Sequence, residues 1–267
     1  MLLTVAIDGP VGAGKSSVAD GVARELGILH LDTGAMYRAL GWKALQEGIA
    51  TDDGPALCAL ADNCMPEVEY RDGAQRTFID HTDVTELIRT PAVSMAASDV
   101  SKIPGVRTAM VARQRELAEK QSILLDGRDI GTRVLPNATV KFYLTASPEI
   151  RAKRRFAELQ QKGDPVPYED VLRDVIRRDE QDMNREIDPL RPAEDAQIVD
   201  SSYLTLQQMI ADLVRRVRMK QGVKPQAEEN ARRCTRRPRA CPLFCFARSC
   251  PSAIMGWKIC KWTRPIS

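Results

Sequence analysis

"IDGPVGAGKSS" (Ile7–Ser17) places three glycines, one lysine and two serines within nine residues. Gly9, Gly14, Lys15 and Ser16 fit the pattern G-x-x-x-x-G-K-[ST]. Phosphate needs many donors at short range, and backbone N–H groups supply them only where no Cβ blocks the approach. Gly9, Gly12 and Gly14 clear that space, and the helix that follows presents its positive end. Lys15 adds a full charge for the β and γ phosphates, and the Ser16 hydroxyl suits a magnesium ion carried with them. Gly9, Pro10, Val11, Gly12, Ala13, Gly14, Lys15, Ser16 and Ser17 are therefore expected to cradle a nucleoside triphosphate. The loop alone does not say whether the phosphoryl group goes to water, protein or a small molecule.

Working outward, "LLTVAID" (Leu2–Asp8) reads as a buried strand before the loop, and Lys15 to about Leu26 as the helix after it. "ILHLD" (Ile28–Asp32) reads as a second strand, with a helix from Ala35 to about Glu47. "SILLD" (Ser122–Asp126), "TVKFYLTA" (Thr139–Ala146) and "AQIVD" (Ala196–Asp200) complete the set. Short apolar strands alternating with helices predict an α/β fold whose central parallel sheet, of about five strands, is covered on both faces. Between Met65 and Thr85 the alternation breaks into β-rich pieces around Asp72-Gly73, a hairpin signal, and a small antiparallel insert is expected.

Of the 267 residues, 43% are apolar and 28% charged, as in ordinary soluble enzymes. No apolar run approaches the roughly 20 residues that cross a bilayer. The segment "MLLTVAIDGP" has no basic lead and is read as a strand, not a signal peptide, so a cytoplasmic protein without membrane contact is expected. The net charge of +3 is divided unevenly. From Gly222 onward ten Lys and Arg face only Glu228 and Glu229, a net +8, which leaves about −5 for residues 1–221. The basic character thus belongs to the tail, and nucleic acid is not an expected partner of the body. Five of the seven cysteines also lie in the tail, and their spacing matches zinc ligand sets poorly. Residues 222–267 are expected to be a poorly ordered basic extension.

Two arginine-bearing segments follow strands. "DTGAMYR" (Asp32–Arg38) comes after the second strand and "DGRDIGT" (Asp126–Thr132) after the third. In a parallel sheet such carboxyl ends open into the ligand crevice. Either Arg38 or Arg128 alone is also what a surface salt bridge would use; together they suggest a second phosphorylated ligand facing the triphosphate. A GTPase would need N-K-x-D, which is absent from the chain.

The sequence resembles the bacterial cytidylate kinases, nucleoside monophosphate kinases, over residues 1 to about 221. The resemblance is carried by "IDGPVGAGKSS", "LDTGAMYR", "DVTELIRT", "VSMAASDVSKIPGVR", "DGRDIGT" and "RRDEQDMNRE", in that order. It implies a P-loop kinase core over residues 1–221, with a monophosphate-binding insert at about 63–90 and a short helical lid at about 151–167. It implies ATP as donor with Mg²⁺, CMP and dCMP as acceptors, and Ser98, Arg107 and Asp129 as readers of the cytosine. Arg38 and Arg128, with Thr33 beside them, match groups that hold the acceptor phosphate. The family commonly has Ser where this chain has Thr33, and the hydroxyl is kept. Arg178 and Asp182 match ribose contacts, with Arg185 expected on the same helix face. "RAKRRFAELQQKG" resembles the lid, making Arg151, Arg154 and above all Arg155 candidates to close over the transferring group, with Gly163 and Pro165 marking its turn. Lys15, Arg38, Arg128 and Arg155 are thus the expected catalytic set, in a protein expected to act as a monomer. Two other readings compete: a P-loop kinase of another small metabolite such as shikimate or gluconate, and a nucleotide-binding regulatory module whose tail contacts nucleic acid.

Overall fold

A computed structural model describes residues 2–71, 73–163 and 166–222. The readings of Asp72, of Pro165 and of the basic tail fall outside the described residues. Along the chain run β1 (Thr4–Asp8), α1 (Lys15–Leu26), β2 (Leu29–Asp32), α2 (Thr33–Gln46), α3 (Gly54–Asn63), β3 (Glu67–Arg71), β4 (Ala74–Ile79) and β5 (Thr82–Asp83). They continue as α4 (Pro91–Val100), α5 (Pro104–Lys120), β6 (Ile123–Gly127), β7 (Val140–Thr145), α6 (Pro148–Lys162), α7 (Tyr168–Asn184), β8 (Gln197–Asp200) and α8 (Leu206–Lys220).

Five strands form one parallel sheet in the order β2-β6-β1-β7-β8. The expected α/β architecture is the observed one. Successive side chains of a strand face opposite sides, and β1 shows why both faces need a cover. Ala6 packs with Leu31, Met36, Leu40, Met110 and Leu125 on the face carrying α2, α3 and α5. Val5 and Ile7 pack with Val18, Val22, Phe142, Leu213 and Val214 on the face carrying α1 and α8. Burial on both sides accounts for the unbroken apolar runs read from the sequence.

The insert is also present: β3, β4 and β5 form an antiparallel sheet of their own. Arg71 pairs with Ala74 across the first turn, where Gly73 supplies φ +75°. The insert is tied to β2, the edge strand of the main sheet, by side chains. The Gln75 amide accepts from Asp32 N at 2.7 Å and donates to Asp32 O at 3.4 Å. The Tyr70 hydroxyl donates to His30 O at 2.9 Å.

Helices α6 and α7 form a hairpin with a small core of its own, Ala152, Leu159, Val171 and Val175. Phe156 and Tyr168 meet edge to face at 5.9 Å beside it. Two boundaries differ from expectation. Helix α2 starts at Thr33 because Asp32 caps it, accepting from Ala35 N at 3.0 Å. Helix α7 stops at Asn184, so Arg185 follows the helix instead of sharing a face with Arg178 and Asp182. The chain turns there through Asp188, whose carbonyl accepts from Arg185 Nε.

Candidate active site

The carboxyl ends of β1, β2 and β6 lie side by side, with Asp32 level with Asp126 and Asp8 level with Gly127. The site is built on these three ends. After β1 the loop Gly9–Gly14 passes so near β7 that a Cβ on Gly9 would sit 2.1 Å from the Leu144 carbonyl oxygen. At Gly12, with φ +74°, a Cβ would stand 3.2 Å from Cβ of Arg151 on α6. Gly14 is the N-cap of α1 and offers no side chain to the first-turn amides, which remain available to an anion. The Lys15 ammonium donates to Pro10 O at 2.9 Å across the loop. Burial, reinforced by the nearby Arg128, pushes its pKa down to about 7. A polyphosphate in the loop would reverse that shift by supplying the opposite charge.

The Ser16 hydroxyl donates to Asp126 Oδ2 at 3.0 Å. Asp126 ends β6, and its carbonyl accepts from the Thr33 hydroxyl at 2.7 Å. The expected sites Ser16 and Thr33 are therefore joined through one residue, Asp126, whose carboxylate holds Ser16 and whose backbone carbonyl holds Thr33. Asp8, at the end of β1, has a structural role of its own. Its two carboxylate oxygens accept from Ile130 N at 2.8 Å and Gly131 N at 2.7 Å. They thereby hold the π-helical turn Ile130–Val134 that follows Arg128 and Asp129. Burial raises the Asp8 carboxyl to about 6 even against those two donors.

Around this floor the arginines are held by carboxylates. Arg38 on α2 donates to Asp32 Oδ2 at 2.7 Å. Arg128 Nε donates to Asp182 Oδ2, on α7, at 2.8 Å. Burial pushes the Asp182 carboxyl up, but Arg128, joined by the charges of Arg178 and Arg185, holds it below its ordinary range. Arg107, reaching in from α5, donates to Asp129 and, at 3.2 Å, to Asp188 Oδ2. Arg185 stands 3.6 Å from the other Asp129 oxygen. Two expected base readers thus meet each other, and Asp188 joins them from a turn that no sequence pattern marked. Ser98 lies half-buried on α4, and its carbonyl accepts from Ser101 Oγ at 2.8 Å.

Like Nη2 of Arg185, the Nε of Arg178 is buried and has no hydrogen-bond partner among the described residues. Burial first, then the charge of Arg128, lowers the pKa of its guanidinium. A buried donor among cations is an uncompensated cost that an anion would remove.

The three arginines read together as a lid separate. Arg151 is buried and ion-paired to Asp179 on α7, while it also donates to Val11 O at 3.0 Å and Ala146 O at 2.9 Å. It braces the phosphate loop and is not free to close over a ligand. Arg154 donates to Ser201 Oγ at 3.0 Å, and Ser201 Oγ donates to Ala13 O at 3.2 Å. Arg155 is half-exposed and pairs within its own helix, with Glu158 at 3.3 Å. Gly163 ends α6 with φ +79°.

No described helix is long and apolar enough to cross a membrane. Residues 5–219 match the family model described as cytidylate kinase. A cytidylate kinase from Caldicellulosiruptor bescii is 50% identical over 208 residues, covering 78% of this chain and 92% of that protein. One from Bacillus subtilis (strain 168) is 45% identical over 218 residues, 82% of this chain and 97% of that protein. Among solved structures, a gluconokinase from Sinorhizobium meliloti 1021 aligns over 83% of this chain and 95% of its own with 15% identity and a TM-score of 0.42.

Proposed function

Because the chain belongs to the cytidylate kinase family, we propose that it transfers the terminal phosphoryl group of ATP to CMP and dCMP, giving CDP and dCDP. The observation that carries this reading is the grouping of Arg38, Arg128 and Arg178, whose buried Nε has no partner among the described residues, around the strand ends that bear the phosphate loop. A loop for one polyphosphate beside cations for a second phosphate is what transfer between two nucleotides requires.

An oxygen of the CMP phosphate attacks the γ-phosphorus of ATP, the bond to the β–γ bridging oxygen breaks, and ADP leaves with that electron pair. The acceptor is already an anion, so no protein nucleophile takes part. Positioning and charge neutralisation supply most of the rate. Lys15 and the loop amides hold the β and γ phosphates. Arg38 and Arg128 exchange Asp32 and Asp182 for the acceptor phosphate. Arg178 joins them, since a guanidinium with a free buried donor beside Arg128 suits an anion better than the ribose hydroxyls expected from the resemblance. Asp182, released, is placed for those hydroxyls. Asp129 and Arg107 present an acceptor and donors to the cytosine, Ser98 adds a hydroxyl, and Arg185 steadies Asp129. Arg155 closes from the α6–α7 hairpin, which serves as lid.

The donor set also fits Mg²⁺. Ser16 and Asp126 offer hard oxygens 3.0 Å apart, while the described residues hold no cluster of three or more His, Cys, Asp or Glu able to cage an ion. That is the pattern of a magnesium delivered on phosphates and kept by one or two protein oxygens. Held there with the nucleotide, it would supply charge neutralisation to the phosphates.

The test is a coupled assay with ATP and a panel of nucleoside monophosphates. CMP and dCMP are expected to have the highest kcat/KM; shikimate or gluconate turning over in their place would overturn the reading. Base reading has its own test. Asp129→Asn keeps the shape of the side chain but swaps one acceptor for a donor, which suits O4 of uracil better than N4 of cytosine. A matched polar contact of this kind is worth about 1–3 kcal/mol, so kcat/KM for CMP should fall roughly 5-fold or more relative to UMP. The KM for ATP should hardly move. An unchanged CMP-to-UMP ratio removes Asp129 from the base site.

A further inference from the structure

His30, on β2, stands outside every motif that the family resemblance uses. Each of its ring nitrogens faces a carboxylate: Nε2 is 2.8 Å from Asp126 Oδ1 and Nδ1 is 2.6 Å from Asp20 Oδ1 on α1. Acceptors on both sides require both nitrogens to carry hydrogen, so the ring is a charged double donor bridging α1 to the end of β6. Its backbone is fixed as well, because His30 O accepts the Tyr70 hydroxyl from the insert. The far end of the bridge is open to solvent: the Asp20 side chain is 62% exposed, against 10% for His30 and 4% for Asp126.

The chemistry concerns Asp126. The terminal torsion of an aspartate is soft, so a carboxylate held at one oxygen swings about that contact. Ser16 holds Oδ2 and His30 holds Oδ1, and together they fix the plane of the group. We infer that His30 is a positioning residue, which locks the Asp126 carboxylate so that its Ser16-facing oxygen is presented to the metal-bearing end of the triphosphate. The inference rests on the reading of Ser16 and Asp126 as the magnesium side of the site. A role in mere charge balance predicts the opposite result, since removing a cation beside Asp126 would then tighten binding of the metal complex.

The experiment is calorimetric titration of AMP-PNP into the full chain, once with saturating Mg²⁺ and once in EDTA. Variants are His30→Ala, Asp20→Asn and Asp126→Asn. Loss of a group that orients a metal ligand commonly costs about 10–100-fold in metal affinity. His30→Ala should therefore weaken binding in Mg²⁺ by roughly 10-fold or more and leave the EDTA value within about twofold. In turnover its KM for Mg·ATP should rise while that for CMP stays put. Asp20→Asn changes only a solvent-exposed group, so it reports even if His30→Ala does not fold, and it should give a smaller loss in the same direction. Should Asp126→Asn abolish the advantage of Mg²⁺ over EDTA while the His30 and Asp20 variants keep or increase it, this inference falls and the metal placement survives. If the wild type shows no such advantage, or Asp126→Asn retains it, the metal placement falls and the inference with it.

Discussion

Lys15→Ala should lower kcat by roughly 10²–10³, the loss seen when one preorganised charge-stabilising donor is removed from a transition state. The fold should survive, and the reason lies in the side chain's own surroundings. Lys15 is buried with one carbonyl partner, and its pKa is lowered from 10.5 to about 7 by burial and Arg128. A cation so depressed binds fewer protons folded than unfolded between those two values. By linkage, stability of the wild type therefore climbs as pH rises from about 7 towards 10.5. Lys15→Ala loses that climb and should be no less stable than wild type at pH 7. Steady-state turnover together with urea unfolding at pH 7 and pH 9.5 checks both halves. Undiminished turnover would remove Lys15 from the phosphates.

Asp179→Ala should have the largest effect on stability, about 3–5 kcal/mol, the usual cost of leaving one member of a buried ion pair without its partner. Both side chains of the Arg151–Asp179 pair are shielded, at 3% and 11% exposure. Arg151 also braces the phosphate loop at Val11 O, so the KM for ATP should rise in the same variant. Urea unfolding reads the first effect and initial rates the second. A variant as stable as wild type would mean that α6 and α7 do not depend on this pair.

The difference between Arg151 and Arg155 shows what one sequence conveys and what it withholds. A basic run on a helix announces charge, but not which member meets a carboxylate from another element. Arg151 finds Asp179 on α7, and Arg154 finds Ser201 after β8. Only Arg155 is left to reach a ligand. The same limit explains Asp8, Asp126 and Asp188. Ser16 and Asp126 are 110 positions apart, and Asp8 and Ile130 are 122 apart. Partners so remote leave no local period to read.

What was legible was whatever local physics dictates. The glycine loop, the two-sided burial of the strands, the hairpin at Gly73 and the antiparallel insert all follow from spacing and residue type. Arg38 and Arg128 were also legible, because a parallel sheet places loops after its strands at one edge. Ser98 and Arg107, proposed as cytosine readers, carry no such local signal. They came from family likeness alone.

The central claim is that donor and acceptor phosphates meet between the glycine loop and Arg38, Arg128 and Arg178. A crystal structure of the protein with CMP and Mg·AMP-PNP tests it most directly. The CMP phosphate is predicted to lie within hydrogen-bonding reach of those three guanidinium groups, in line with the γ-phosphate over Lys15, with Arg128 drawn away from Asp182. A CMP phosphate bound elsewhere, with the Arg38–Asp32 and Arg128–Asp182 pairs still closed, would contradict the account.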